Sequence, residues 1–127
     1  MTIPGHINLR AELDAVTELW SPRVVAVSNG QYLKVAKLKG EFVWHQHAAE
    51  DELFLVLRGS MRIRFKDGEV LLREGECAVV PRGVLHNPIA DEECWIALLE
   101  PVTTTHTGDV VTERTRTLAE QTAHLLQ

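Results

Sequence analysis

An all-β domain, built as a sandwich or barrel with a short helix at its amino end, is the fold class that the sequence predicts. From residue 24 to residue 101 the chain is a series of short apolar or alternating runs: 24–27, 32–38, 42–47, 53–57, 61–65, 70–72, 77–80 and 94–99. Turn residues separate them, namely Asn29-Gly30, Gly40, Gly59, Asp67-Gly68, Gly75, Pro81-Arg82-Gly83 and Asn87-Pro88. Around eight strands at such spacing fit a sandwich or barrel and not a βαβ arrangement.

The elements follow in order. Asn8 can cap a short helix in which Leu9, Leu13 and Val16 share one face and Glu12 and Asp14 lie early in the helix; Trp20-Ser21-Pro22 ends it. Among the turns, Asp67-Gly68 is the best hairpin signal, because both central residues of a tight type I′ turn need positive φ. In the run 61–66, Met61, Ile63 and Phe65 alternate with Arg62, Arg64 and Lys66, so the basic residues occupy one face. A solvated sheet face is the ordinary reading of that row, and an anionic ligand or partner is the minority one. Leu118, Ala119, Leu125 and Leu126 allow a closing helix within 112–127.

At 127 residues the chain fits one domain over 1–127, with a strand-rich core at about 24–101. Hydrophobic residues make up 45% and charged residues 24%, and the formal net charge of −5 comes from interleaved signs. Nucleic acid is not expected as a partner, since binding it requires clustered Lys and Arg. No apolar run approaches the length of a membrane span, and residues 1–13 lack the pattern of a secretory leader, so a cytoplasmic protein is expected. Cys77 and Cys94 lie far apart, outside any C-x-x-C spacing, and read as buried, inert, reduced thiols.

The chemistry concentrates in two short stretches. His45 and His47, two apart in an expected strand, project from one face, and Glu52 follows five residues after His47. Pro81-Arg82-Gly83-Val84-Leu85-His86 brings a third imidazole on a turn leaving the strand 77–80. Three neutral imidazoles and one carboxylate suit a borderline divalent ion: Fe, Mn, Ni, Co, Cu or Zn. An octahedral ion so held keeps two positions open, as catalytic sites do and closed structural sites do not. Spacing selects Glu52 as the fourth ligand over its neighbours. Glu50 and Asp51 read as solvated loop carboxylates, with Glu50 the one candidate for a general base. His6, His106 and His124 fall in terminal segments outside any ligand spacing and read as surface residues. Core or interface packing is the ordinary role for Trp44, Phe54 and Trp95, with pocket lining the alternative.

These residues carry a resemblance. Gly40, His45, His47, Glu52 and Gly59 are spaced as in the first cupin motif, and Gly75, Pro81, Gly83 and His86 as in the second. Gly40 lies one residue closer to the first histidine than usual, and Ala90 stands where the second motif often has Asn. The resemblance implies a jelly-roll β-barrel with one divalent metal ion per chain (Fe, Mn, Ni or Zn) at its wide mouth, and often a homodimer. Related small cupins are often labelled mannose-6-phosphate-isomerase-like, which records fold and metal site only.

One fold hosts many functions. The first expectation is a metalloenzyme of dioxygenase or isomerase type acting on a small oxygen-bearing metabolite. The second is a non-catalytic module that binds a small ligand. Retention of a full ligand set favours the enzyme.

Overall fold

The computed structural model describes residues 5–108 and 110–126. Helix α1, Leu9–Asp14, leads into strands β1 (Arg23–Ser28), β2 (Gln31–Glu41), β3 (Glu52–Arg58), β4 (Ser60–Phe65), β5 (Gly68–Arg73), β6 (Cys77–Val80) and β7 (His86–Pro101). Helix α2, Leu118–Thr122, and the 3₁₀ turn Ala123–Leu126 close the chain. All strand pairings are antiparallel, in the order β1-β2-β7-β3-β6, with β4 joining β7 to β5. The long β7 unites the parts of this jelly roll. Its residues 94–101 lie between β2 and β3, while residues 86–89 pair with β4.

Period-two alternation decides what enters the barrel. Ala36 and Leu38 of β2, Phe54 and Val56 of β3, Met61 and Ile63 of β4, and Cys94, Ile96 and Leu98 of β7 form the main core. The opposite faces of β1, β2 and β7 carry Val25, Val35 and Trp95, which α1 covers with Leu13 while Val16 packs alongside. Trp95 is further sandwiched between Lys37 and Arg58, at 4.8 and 4.9 Å from its ring centroid.

Several expectations change. The run 42–47 forms no strand; its one bridge joins His45 to His86. Asn87-Pro88 is not a turn but the start of β7, where Pro88 needs no donor because its carbonyl accepts from Phe42 N–H at 3.0 Å. His86 therefore opens a strand, and among the described residues seven strands replace eight. The type I′ geometry belongs to Asn29-Gly30, with φ of 51° and 73° between the paired Ser28 and Gln31. At the other hairpin Phe65 pairs with Gly68, and the two loop residues Lys66 and Asp67 both have ordinary negative φ.

Helix α1, capped by the Asn8 side chain on Ala11 N–H, stops at Asp14, well short of Trp20. Its last turn tightens, with Val16 N–H reaching Leu13 O at 2.9 Å. The chain then redirects so that Trp20 enters the core and its indole donates to Lys39 O. In the tail, Thr117 and Glu120 form a capping box for α2, yet the buried residue of that helix is Gln121. Leu125 is exposed, and the side chain of Leu126 and the whole of Gln127 lie outside the described residues, as do residues 1–4 of the segment read for a leader. Cys94 is buried, and burial pushes its thiol up to about 11; Cys77, contrary to expectation, is exposed. Arg62 of the basic row pairs with Glu69 and Asp91, while Arg64 and Lys66 are exposed, as a solvated face requires. Among the described residues no helix is long and apolar enough to cross a membrane.

Candidate metal centre

Each of the four expected ligands reaches the site by a different local route. Glu52 is the first residue of β3 and lies in phase with the inward Phe54 and Val56. Asp51 is out of phase and accepts the backbone N–H of Arg82 at 2.9 Å, which holds its carboxyl below the usual range. His86 opens β7, and its backbone exchanges hydrogen bonds with His45 at 2.9 and 3.0 Å. His47 is fixed next to that pair, its carbonyl accepting from Gly83 N–H at 2.8 Å.

All four side chains are buried, and one ligand atom from each lies within 4.8 Å of the others. The ring centroids of His45 and His86 are 4.3 Å apart, and those of His45 and His47 are 5.0 Å apart. Two backbone carbonyls set the tautomers. His45 Nδ1–H donates to Val43 O and His86 Nδ1–H to Val84 O, each at 2.9 Å, which leaves both Nε2 atoms as lone-pair donors.

Buried polar atoms ordinarily find hydrogen-bond partners. Here His47 Nδ1 and Nε2, Glu52 Oε1 and His86 Nε2 have none. Glu52 Oε1 is 3.6 Å from His47 Nε2 and 3.5 Å from His86 Nε2, too far for good hydrogen bonds. The donor set, its convergence and its orphaned atoms fit a divalent ion, whose bonds to N and O donors run about 2.0–2.2 Å.

The charges agree. Burial lowers His45 to about 4, assisted by His86, so it is neutral at ordinary pH and free to ligate. Burial alone would raise Glu52, but contact with His47 and His86 outweighs it and holds the carboxyl well below the usual range.

Behind Glu52 lies a second buried cluster that the motif spacing does not reveal. Glu100 contacts the Glu52 carboxyl and lies 2.6 Å from Lys34 Nζ, which also donates to Gln121 Oε1 at 2.6 Å. Burial, then the negative charge of Glu52, pushes Glu100 well above the usual carboxylate range. One signal for this cluster is present in the sequence. Lys34 shares its strand phase with Ala36 and Leu38, and Glu100 shares its phase with Ile96 and Leu98, so both polar residues fall in inward rows.

A cavity of about 30 Å³ adjoins the site, with His45 and Glu52 at its wall and Trp20, Phe42, Phe54, Leu38 and Leu98 among its apolar lining. Trp20 stacks on Phe42 at 4.6 Å between centroids. Phe54 thus does line the pocket while also belonging to the core, whereas Trp44 is exposed and Trp95 packs beneath α1. His106 also lines this cavity, 5.0 Å from Phe42 by ring centroids, so it is not the surface residue expected from its position. Its Nδ1 accepts from Arg116 N–H at 2.8 Å, and burial lowers it to about 3. Its companions stay apart: His124 Nε2–H donates to Val24 O at 2.7 Å, and His6 is exposed. Glu50 accepts from Thr103 Oγ1 at 3.1 Å and is not among the residues lining the cavity. Ala90, in place of the usual motif Asn, is fully buried in the core opposite Gly40.

Comparison with known proteins agrees with this architecture. A cupin-2 domain protein from Shewanella frigidimarina superposes with a TM-score of 0.73 at 45% identity, over 75% of this chain and 93% of that one. An uncharacterized Bacillus subtilis protein, YdbB, is 35% identical over 80 residues, which are 62% of this chain and 71% of its own. The hydroquinone 1,2-dioxygenase PnpCD, solved with Cd2+ and 4-hydroxybenzonitrile, has a TM-score of 0.59 over 67% of this chain and 66% of its own; at 19% identity it shares the fold alone. Residues 32–99 match the cupin domain, and the chain belongs to the cupin superfamily.

Proposed function

We propose that the protein is a metalloenzyme of dioxygenase or isomerase type, acting on a small oxygen-bearing metabolite at one divalent ion held by His45, His47, Glu52 and His86. One observation carries this reading: four buried donor groups converge beside an apolar cavity, with several of their ligand atoms unpaired. A bound ion (Fe, Mn, Ni or Zn) would supply Lewis acidity toward a carbonyl, hydroxyl or enolate oxygen, and, if redox-active, chemistry with dioxygen.

The chain's own residues do the rest. Val43 and Val84 carbonyls orient His45 and His86, and the stacked Trp20 and Phe42 help keep bulk water from the pocket. The likeness to the hydroquinone dioxygenase supports the fold and leaves the choice of reaction to assay. We carry a homodimer and a small-molecule partner as parts of the same proposal, with sedimentation as the check on the first.

The test is reconstitution with Fe, Mn, Ni or Zn, followed by oxygen-consumption screens for the first three and isomerase assays for zinc. Turnover that disappears in His86→Ala together with the bound ion is expected. Full turnover in that variant would end the metalloenzyme reading. A second reading, a non-catalytic ligand-binding module, draws support from the cavity's composition. Among the described residues its one titratable lining group besides His45 and Glu52 is His106, a poor general base because burial lowers it to about 3 and its Nδ1 lone pair already accepts from Arg116 N–H. Ligand binding without turnover under every metal would select it.

A further inference from the structure

The carboxyl-terminal segment after β7 adds a group to the cavity that the cupin motifs do not contain. Its placement is tight. Gly108, with φ of +60°, packs so closely that a Cβ there would come within 1.9 Å of Gln46 O, between the ligands His45 and His47. Thr104 and Thr107 are buried, and the segment's far end is tied through Gln121 to Lys34 and to Arg116 O. His106 is therefore held by structure on both sides of it.

Its ring has a defined tautomer. The backbone N–H of Arg116 can only donate, so Nδ1 must present a lone pair, and the proton of the neutral ring sits on Nε2. An imidazolium would set two N–H groups against each other, and burial already disfavours that charge. Among the described residues no hydrogen-bond partner is found for Nε2. His106 lines the cavity together with the ligands His45 and Glu52, the remaining lining being apolar, and an N–H without a partner on such a residue is suited to meet an acceptor atom on a molecule that enters.

We propose that His106, through its Nε2–H, is the hydrogen-bond donor to an oxygen of the ligand held at the metal site. This rests on the metal-centre reading above and extends it to ligand class. The fixed tautomer selects an acceptor, such as a carbonyl or carboxylate oxygen, attached to a small apolar body that the Trp20, Phe42 and Phe54 walls accommodate. A group that can only donate, such as an ammonium, would leave two donors facing each other there.

Acetate, the smallest carboxylate with a methyl body, serves as the probe. Cobalt-loaded protein is titrated with acetate through its visible bands for the wild type, His106→Phe and His106→Gln. All three should hold one ion per chain. His106→Phe should bind acetate roughly fivefold to tenfold more weakly, as expected for one lost hydrogen bond, and His106→Gln, which keeps an N–H, should recover part of the loss. In parallel, nitrogen-15 histidine spectra of the zinc-loaded wild type should give Nδ1 unprotonated and Nε2 protonated, with the Nε2 proton shifting downfield on acetate addition. That arm decides the matter if His106→Phe does not fold. Equal acetate affinity in the loaded variants, a proton on Nδ1, or an Nε2 proton indifferent to acetate would overturn this inference alone. Loss of the ion in His106→Phe would also overturn it, because His106 would then support the metal site itself. A wild type that takes up no ion would overturn it together with the metal-centre reading.

Discussion

Two clusters of buried polar side chains share the interior of this barrel, and they differ in how far they satisfy themselves. Lys34 is matched within its own cluster, with Glu100 and Gln121 each 2.6 Å from its ammonium group. The cluster of His45, His47, Glu52 and His86 leaves four ligand-type atoms without partners. The two meet where Glu100 contacts Glu52. Desolvated polar groups are tolerated when hydrogen-bonded and costly when not. The Lys34 cluster leaves one such atom, Glu100 Oε2, so the contrast separates a cluster mostly satisfied within the fold from one in which every residue but His45 presents an unpaired ligand atom. A pattern search that only counts buried charges would score both alike.

The first way to break the comparison is to damage the better-satisfied cluster. Lys34→Ala leaves Glu100 buried without its counter-charge and should cost about 3–5 kcal/mol of unfolding free energy in urea, with or without metal. A cost below about 1 kcal/mol would mean that Lys34 is not structural. The second addresses the unsatisfied cluster. Adding metal at a thousandfold its dissociation constant should stabilise the apoprotein by about 4 kcal/mol, an increment that His86→Ala removes. Equal stabilisation of both proteins would place the ion elsewhere.

A smaller effect concerns the segment that touches both clusters. Gly108→Ala forces a Cβ into Gln46 O from a left-handed conformation and should cost about 1–3 kcal/mol. Acetate affinity at the cobalt site should fall with it as His106 is displaced, and an unchanged melting curve would show that the segment yields freely.

The gentlest lever is pH. His45 and His106 stay neutral in the fold down to about 4 and about 3, while in the unfolded chain they take up protons near 6.5. Their contribution to stability is thus fully present above about 6.5 and is lost as pH falls toward those lower values. In the apoprotein the slope should be about 1.4 kcal/mol per pH unit for each histidine, and His106→Phe should reduce it. A slope unchanged by that substitution would mean that His106 protonates freely in the fold.

Much of this was legible in the chain, and the reasons are local. Glu52 could be chosen over Asp51 because motif spacing selects it, and strand phase agrees, since it keeps step with Phe54 and Val56. His45 and His47 were found from spacing even though residues 42–47 do not form the expected strand. Their positions are set by backbone bonds to His86 and Gly83, which are long-range contacts. Asn87-Pro88 misled because the same dipeptide that makes turns is also tolerated in a strand where the proline carbonyl accepts and no N–H is needed. Lys34 and Glu100 carried a usable signal in their inward phase. His106 carried none: it sits in a non-repetitive segment whose path depends on the fit of Gly108 against Gln46, and neither periodicity nor motif spacing encodes that contact.

The claim at the centre is that the unsatisfied cluster exists to hold an ion, and metal content tests it most directly. Untagged protein purified without chelator, and again after reconstitution with Fe, Mn, Ni or Zn, is analysed for elements beside His86→Ala. About one ion per wild-type chain, and none in the variant, is the predicted result. A wild type that stays metal-free in every preparation, or a variant that keeps its ion, would contradict it.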